Sequence, residues 1–162
     1  MEIKIKSFLN NEDSLDDQLD EEVDDSIHIY VDGSYNKVLE EYAYGMVVLK
    51  EDDTVEEYSQ KYSDPELLSM WNVAGEIMGA CAAMQYAMDY EIPKITIFYD
   101  YEGIEKWPTG IWKAKKEGTK AYVNFYNEAS KRVNIKFKKV TGHSGDKYND
   151  MADKLARGAL GL

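Results

Sequence analysis

The sequence predicts an α/β domain in which three strands joined by short turns lead into helices that alternate with two further strands. Three observations carry that expectation. Residues 27–35 read Ile-His-Ile-Tyr-Val-Asp-Gly-Ser-Tyr, alternating apolar and polar residues up to Asp32, which is the period of a half-buried strand. Ile95, Ile97 and Tyr99 repeat the device, and that run stops at Asp100. Residues 70–90, 119–131 and 147–160 instead carry apolar residues at helical spacing.

Residues 1–26 hold ten acids against Lys4 and Lys6, a net of −8. From residue 10 onward their composition is that of a linker, partly disordered, with too little apolar surface to offset its ordering entropy. Ile3 and Ile5 alternate weakly, as in a short strand. Asp13, Asp16, Asp17 and Asp20 lack the glycine turn and the spacing of a calcium loop. We therefore expect an acidic leader over 1–26 and one domain over 27–162.

After the first strand, 33–41 is expected to turn, 42–49 to form a second strand, Asp52-Asp53-Thr54 to turn again, and 55–62 to form a third. Such short connections imply antiparallel hairpins. Asp64-Pro65 ends this unit. Over 70–90, Val73, Ile77, Ala80, Met84, Ala87 and Met88 form one helical stripe, with Pro93 following. Asn72 is the expected N-cap and would share a face with Glu76. A short helix is expected over 102–107, and Pro108, Thr109 and Gly110 then break the chain. A helix follows over 119–131 through Tyr122, Phe125, Tyr126 and Ala129, then a strand over 133–140. The loop Thr141-Gly142-His143-Ser144-Gly145 leads to a last helix with Met151, Leu155 and Leu160 inward.

At 162 residues, with 44% hydrophobic and 12% aromatic, the chain suffices for one packed core. It has neither an apolar run of about 20 residues nor the order of a secretory signal, so we expect a cytoplasmic protein without membrane contact. Cys81 is the single cysteine, which excludes an intrachain disulfide and a thiolate metal site and reads as a small buried helix residue. The net charge is −12, yet residues 103–140 carry nine lysines and Arg132 against Glu105, Glu117 and Glu128, a net of +7. That asymmetry suits a polyanion binder, although lysine-rich helices are also ordinary solvated surface.

If the strands ending at Asp32 and Asp100 are parallel neighbours about 4.8 Å apart, the two carboxylates meet at the carboxyl edge of the sheet, where α/β sheets bind ligands. They would repel unless one is protonated or a cation lies between them. Each candidate also has an ordinary reading. Asp32 could form a turn, Glu76 could favour a helix dipole, Asp100 could cap a helix, Asp153 could be an exposed acid, and His143 could bond loop backbone. Their joint occurrence points to function.

Asp32-Gly33-Ser34 after the first strand, Asn72-x-x-x-Glu76 on the first long helix, Asp100 after the fourth strand, and Gly142-His143 before Asn149-x-x-x-Asp153-x-x-Ala156-Arg157 together resemble type 1 ribonuclease H. The likeness spans nearly the whole chain beyond the leader. It implies a five-stranded mixed sheet, three antiparallel strands continued by two parallel ones, with helices on both faces. It also implies a monomeric endonuclease cutting the RNA strand of RNA·DNA hybrids with two Mg²⁺ or Mn²⁺ ions held by Asp32, Glu76, Asp100 and Asp153. By the same likeness His143 would move protons or release product, and Asn72 would read a ribose 2′-hydroxyl. Gly33, Ser34 and Asn149 would adjoin substrate.

The chemistry agrees. Two hard cations about 3.5 to 4 Å apart serve phosphodiester hydrolysis and take oxygen ligands. Imidazole titrates near neutral pH, and an amide can both donate to and accept from a 2′-hydroxyl. Trp107, Trp112, Lys113, Lys115, Lys116 and Lys120 are candidates for the DNA strand, with burial in the core the other reading, favoured for Trp112. Val38, Tyr101 and Glu102 depart from the family pattern, and 36–41 is short, which would weaken or shift substrate binding. Residues 100–107 resemble a bacterial subgroup in which this domain follows a viroplasmin-like hybrid-binding module. The alternatives are a binding module of this fold without efficient catalysis and a related DNA nuclease.

Overall fold

The computed structural model describes residues 24–141 and 146–162. Five strands form one sheet in the order β3-β2-β1-β4-β5. β1 (Ile27–Asn36), β2 (Glu41–Leu49) and β3 (Val55–Tyr62) are antiparallel neighbours, while β4 (Lys94–Tyr99) and β5 (Asn134–Lys139) extend the sheet in parallel from β1. Among the described residues five helices accompany them: α1 (Pro65–Leu68), α2 (Trp71–Asp89), α3 (Gly103–Lys106), α4 (Glu117–Ala129) and α5 (Lys147–Ala159). α2 packs on β1, β2, β4 and α4, whereas α5 packs on β1, β2 and β3. The mixed sheet with helices on both faces is the architecture expected from the sequence.

Strand alternation divides the apolar residues between two cores. Ile29, Val31, Ile95 and Ile97 turn towards α2 and are fully buried against Ile77, Ala80 and Met84. Tyr30, Val47 and Phe98 turn the other way and pack with Val140 and Ala152 of the α5 side. Burying one such aliphatic side chain contributes about 1.5 to 3 kcal/mol.

β1 does not stop at Asp32, and Gly33 does not turn. The strand continues to Asn36 against β2, while its pairing with β4 ends at Tyr30↔Phe98. The turn comes later, where Asn36 Oδ1 accepts the amides of Val38 and Leu39 and Glu40 adopts φ 55°. Gly33 is needed for a different reason: a Cβ there would lie 2.4 Å from the backbone nitrogen of Glu76. Gly75 completes this contact, since its Cβ would lie 2.1 Å from the Ala43 carbonyl oxygen. On the opposite face, a Cβ on Gly45 would lie 2.0 Å from the Ala152 carbonyl oxygen.

Several local expectations need correction. Asp64-Pro65 ends the hairpin unit but also starts α1, where Asp64 caps the Glu66 amide at 2.9 Å and proline takes the first turn. Asn72 is not a cap, because α2 begins at Trp71 after Met70 and has no side-chain cap. On α5, Leu160 is buried and Met151 and Leu155 pack partly covered on the second core, as expected, while Ala152 and Ala156, not singled out by the sequence, are fully buried where the helix meets Gly45. Cys81 is partly buried on α2. Asp24, Asp25 and Ser26, assigned to the leader, contact the sheet through His28 at 2.8 Å, Lys94 at 3.2 Å and Thr96 at 2.7 Å. The short strand and the calcium loop considered for the leader lie outside the described residues.

The close approach of α5 has a measurable consequence. Gly45→Ala should cost about 3 kcal/mol by forcing α5 off the sheet. Gly158→Ala, on the same helix with nothing within 4 Å of the added Cβ, should stabilise by about 0.5 to 1 kcal/mol. Urea unfolding of the two variants checks both signs.

Candidate active site

Asp32 stands just past the point where β1 leaves β4, and it is in register with Gly45 on β2. Cross-strand partners share a face, so Asp32 looks towards α5. There the contact of Gly45 with Ala152 brings the next residue, Asp153, to the same edge. The register Tyr30↔Phe98, carried two residues on, sets Asp100 beside Asp32. From the other face, the Gly33–Gly75 contact delivers Glu76 in the second turn of α2.

Glu76 is only 4% exposed. Its carboxylate accepts the amide of Asp100 at 2.6 Å and that of Tyr101 at 3.3 Å, which fixes it over the end of β4. Burial, and then the charges of Asp32 and Asp100, push its pKa up to about 8 against those hydrogen bonds. Asp32 is pushed up to about 7, chiefly by burial and further by Asp153 and Asp100, while the Gly33 amide donating at 2.9 Å opposes the rise. All four acids are thus electrostatically joined through Asp32. Asp153 accepts Arg157 Nε at 3.0 Å.

Among the described residues no three histidine, cysteine or acidic side chains close into a ready-made ion cage. Glu76 is engaged with amides and Asp153 with Arg157. The donor set nevertheless fits a hard divalent cation. It consists of carboxylate oxygens alone, brought from four separate elements.

The sequence-derived substrate residues fall in several places. Trp107, Lys113 and Lys116 line an open groove with Met70, Trp71 and Tyr101, directly beyond the amides that hold Glu76. Lys115 lines it too, while Lys120 is exposed on α4. Trp112 is not a core residue. It is half-exposed, sits edge-on to Trp107 at 5.8 Å, and carries Lys106 over its ring at 5.3 Å. Gly33 lies against α2 and Ser34 is half-buried on β1. The Asn149 amide donates to Asp146 at 3.2 Å, and its Oδ1 is buried with no hydrogen-bond partner among the described residues. Asn72 lies in the first turn of α2. His143 lies outside the described residues.

Sequence reasoning missed Trp71, which turns away from the core to pack on Tyr35 at 5.6 Å. A core-facing stripe gives no sign of it. The amides of Asp100 and Tyr101 were equally invisible, because backbone donors carry no residue signature.

Residues 24–160 match the family described as RNase H. A ribonuclease H of Pseudoalteromonas translucida is 32% identical over 146 residues, 84% of this chain and 90% of the relative. One of Shewanella denitrificans is 31% identical over 144 residues, 82% and 86% of the two chains. Among solved structures, RNase H1 of the halophilic archaeon Halobacterium salinarum aligns with a TM-score of 0.70 at 22% identity, over 84% of this chain and 98% of that one. LC11-RNase H1, solved in complex with an RNA/DNA hybrid, aligns at 0.64 and 18% identity, over 83% and 99%. The structural matches speak for the fold, and the sequence matches for descent: the chain belongs to the ribonuclease H family of nucleases.

Proposed function

We propose that the protein is an endonuclease that hydrolyses the RNA strand of RNA·DNA hybrids, leaving 3′-hydroxyl and 5′-phosphate ends, and works as a cytoplasmic monomer. Asp32, Glu76, Asp100 and Asp153 hold two divalent ions, Mg²⁺ or Mn²⁺. The carrying observation is that acids from four separate elements are electrostatically joined through one half-buried residue, Asp32. The hybrid bound to LC11-RNase H1 supports the substrate class. No helix among the described residues is long and apolar enough to cross a membrane.

Two divalent ions held by Asp32, Glu76, Asp100 and Asp153 would supply activation of the attacking water and charge stabilisation for the leaving oxygen. The chain's own groups do the rest. The amides of Asp100 and Tyr101 fix Glu76 so that its carboxylate needs no reorientation. Trp107, Lys113 and Lys116 receive the sugar-phosphate of the DNA strand in their groove, by stacking and charge. Asn72, one residue from Trp71, reads the 2′-hydroxyl, Gly33, Ser34 and Asn149 adjoin the substrate, and His143 carries protons near the leaving oxygen. The likeness of residues 100–107 to the viroplasmin-linked subgroup suggests descent from an arrangement with a separate hybrid-binding module.

A labelled RNA·DNA hybrid incubated with Mg²⁺ beside single-stranded RNA, duplex RNA and duplex DNA tests this. The hybrid alone should be cut, and Asp100→Asn should lose at least about a hundredfold in rate while still binding it. Equal cutting of duplex DNA would point to a DNA nuclease of this fold. Binding of hybrid without cutting would leave a recognition module.

Burial predicts a pH effect in chelator. Asp32 and Glu76 keep protons in the fold up to about 7 and about 8, whereas in the unfolded chain they release them near about 4. The folded state therefore binds more protons between these values, so this contribution to stability is full below about pH 4 and lost as pH rises through 7 to 8. In EDTA the melting temperature should fall from about pH 5.5 to about pH 8.5. Asp32→Asn should flatten the fall, and millimolar Mg²⁺ should raise the melting temperature most at the alkaline end.

A further inference from the structure

β5 is an edge strand, and its alternate residues Lys136 and Lys138 face the α5 side of the sheet, opposite Ile135 and Phe137 in the α2-side core. α5 covers β1, β2 and β3, so these lysines stand exposed on the part of that face left open. The register places them in two rows. Tyr30, Phe98 and Lys138 form the row next to the carboxylates, and His28, Thr96 and Lys136 form the row behind it. Tyr30 stacks on Phe98 at 4.3 Å, and the Lys138 ammonium lies 5.9 Å from the Phe98 ring.

Charge along β5 itself is one-sided, while Asp146, at the start of α5 beside Tyr30, is engaged by the amides of Tyr148 and Asn149. β5 contains Lys136, Lys138 and Lys139 and no acid, in a chain of net charge −12. Among the described residues, neither Lys136 nor Lys138 has an acidic partner. The nearby acids Asp24 and Asp25 are engaged by His28 and Lys94. Successive rows on one strand face lie about 6.6 Å apart, so the two lysines reach about 7 and about 13 Å back from Asp100. That step is comparable to the spacing of successive phosphates along a nucleic-acid strand.

We infer that Lys136 and Lys138 form a second phosphate-binding bank, on the opposite side of the carboxylates from the Trp107–Lys113–Lys116 groove. It carries the backbone of the nucleic acid beyond the cleavage position. The inference rests on the proposed substrate, because only a polyanion already seated at Asp32 and Asp100 continues along this face. An acidic peptide fits the charge equally but has no reason to be continuous with the carboxylate row.

The experiment measures binding of a fluorescein-labelled RNA·DNA hybrid to the full chain carrying Asp100→Asn, with and without Lys136→Glu and Lys138→Glu, from about 50 to about 300 mM KCl. Each lost phosphate contact should lower the slope of log affinity against log salt by about 0.9, so the pair should lower it by about 2 and weaken binding at least about tenfold at low salt. Lys61→Glu with Lys131→Glu makes the same change in net charge away from this face, at lysines paired with Glu41 and Glu128, and should leave the slope unchanged. Lys136→Gln with Lys138→Gln should fall between parent and reversal. An unchanged slope in the Lys136/Lys138 pair, an equal loss in the control pair, or tighter binding on reversal overturns the proposal. A chain that binds hybrid with the expected slopes but cuts nothing would instead fail the nuclease reading and leave this surface standing.

Discussion

Two helices held at backbone distance from the sheet are the constraint on which the site depends. α2 meets β1 and β2 through Gly33 and Gly75, α5 meets β2 through Gly45, and any Cβ at these points would fall 2.0 to 2.4 Å from a backbone atom. Only this double approach brings Glu76 and Asp153 from opposite faces to the strand edge that already carries Asp32 and Asp100. The assembly works against electrostatics, since two like charges about 4 Å apart cost about 4 kcal/mol at an effective dielectric near 20. The opposing term is local packing. Ile29, Val31, Ile95 and Ile97, on the strands that lead to Asp32 and Asp100, are fully buried, together contributing about 6 to 12 kcal/mol of transfer free energy. Packing wins, and the cost of burying the acids, with a smaller part from their mutual repulsion, appears as pKa values raised to about 7 at Asp32 and about 8 at Glu76.

How much of this was legible follows from the range of the physics involved. Period-two alternation located the strands because it reports on the two faces of a single strand, and the acids at Asp32 and Asp100 marked the sheet edge. Gly33 was misread because, next to a strand-end acid, glycine is locally indistinguishable from a turn. Its reason is a helix more than forty residues later in the chain. Asn72 has cap chemistry, whereas Met70, the actual cap, has none, so the start of α2 is set by packing and not by a local signal. On α5 the inward packing of Met151, Leu155 and Leu160 was legible, whereas the full burial of Ala152 and Ala156, which carry little hydropathy, was not. That burial follows from the close approach of the helix backbone at Gly45, which no signal on the helix itself announces.

Under the proposed function, the arrangement also separates two tasks that require opposite charge. Holding divalent ions needs a dense cluster of carboxylates, while binding a polyanion needs cations, and a single patch cannot do both. The chain places Lys113, Lys115 and Lys116 in the groove beyond Tyr101 and Lys136 and Lys138 on the open face of β5. The acids stand between them at the ends of β1 and β4. Lysine on β5 has a second effect. It is an edge strand whose outer hydrogen-bonding groups are unpaired in the sheet, and charged side chains along such an edge disfavour pairing with another chain.

This separation explains why a net charge of −12 says little about the proposed partner. At physiological ionic strength the Debye length is about 8 Å, so a phosphate above Lys138 is governed by charges within one or two strand widths of it. The ten acids of residues 1–26 dominate the total, but their influence on the site depends on distance and not on their count. Because Asp24 and Asp25 are engaged by His28 and Lys94 at the far end of β1 from the carboxylates, the described start of the chain adds little negative potential at the site. A family of nucleases can therefore tolerate a strongly acidic total charge, provided that the few cations in reach of the phosphates are mounted on strands and helices that hold them there.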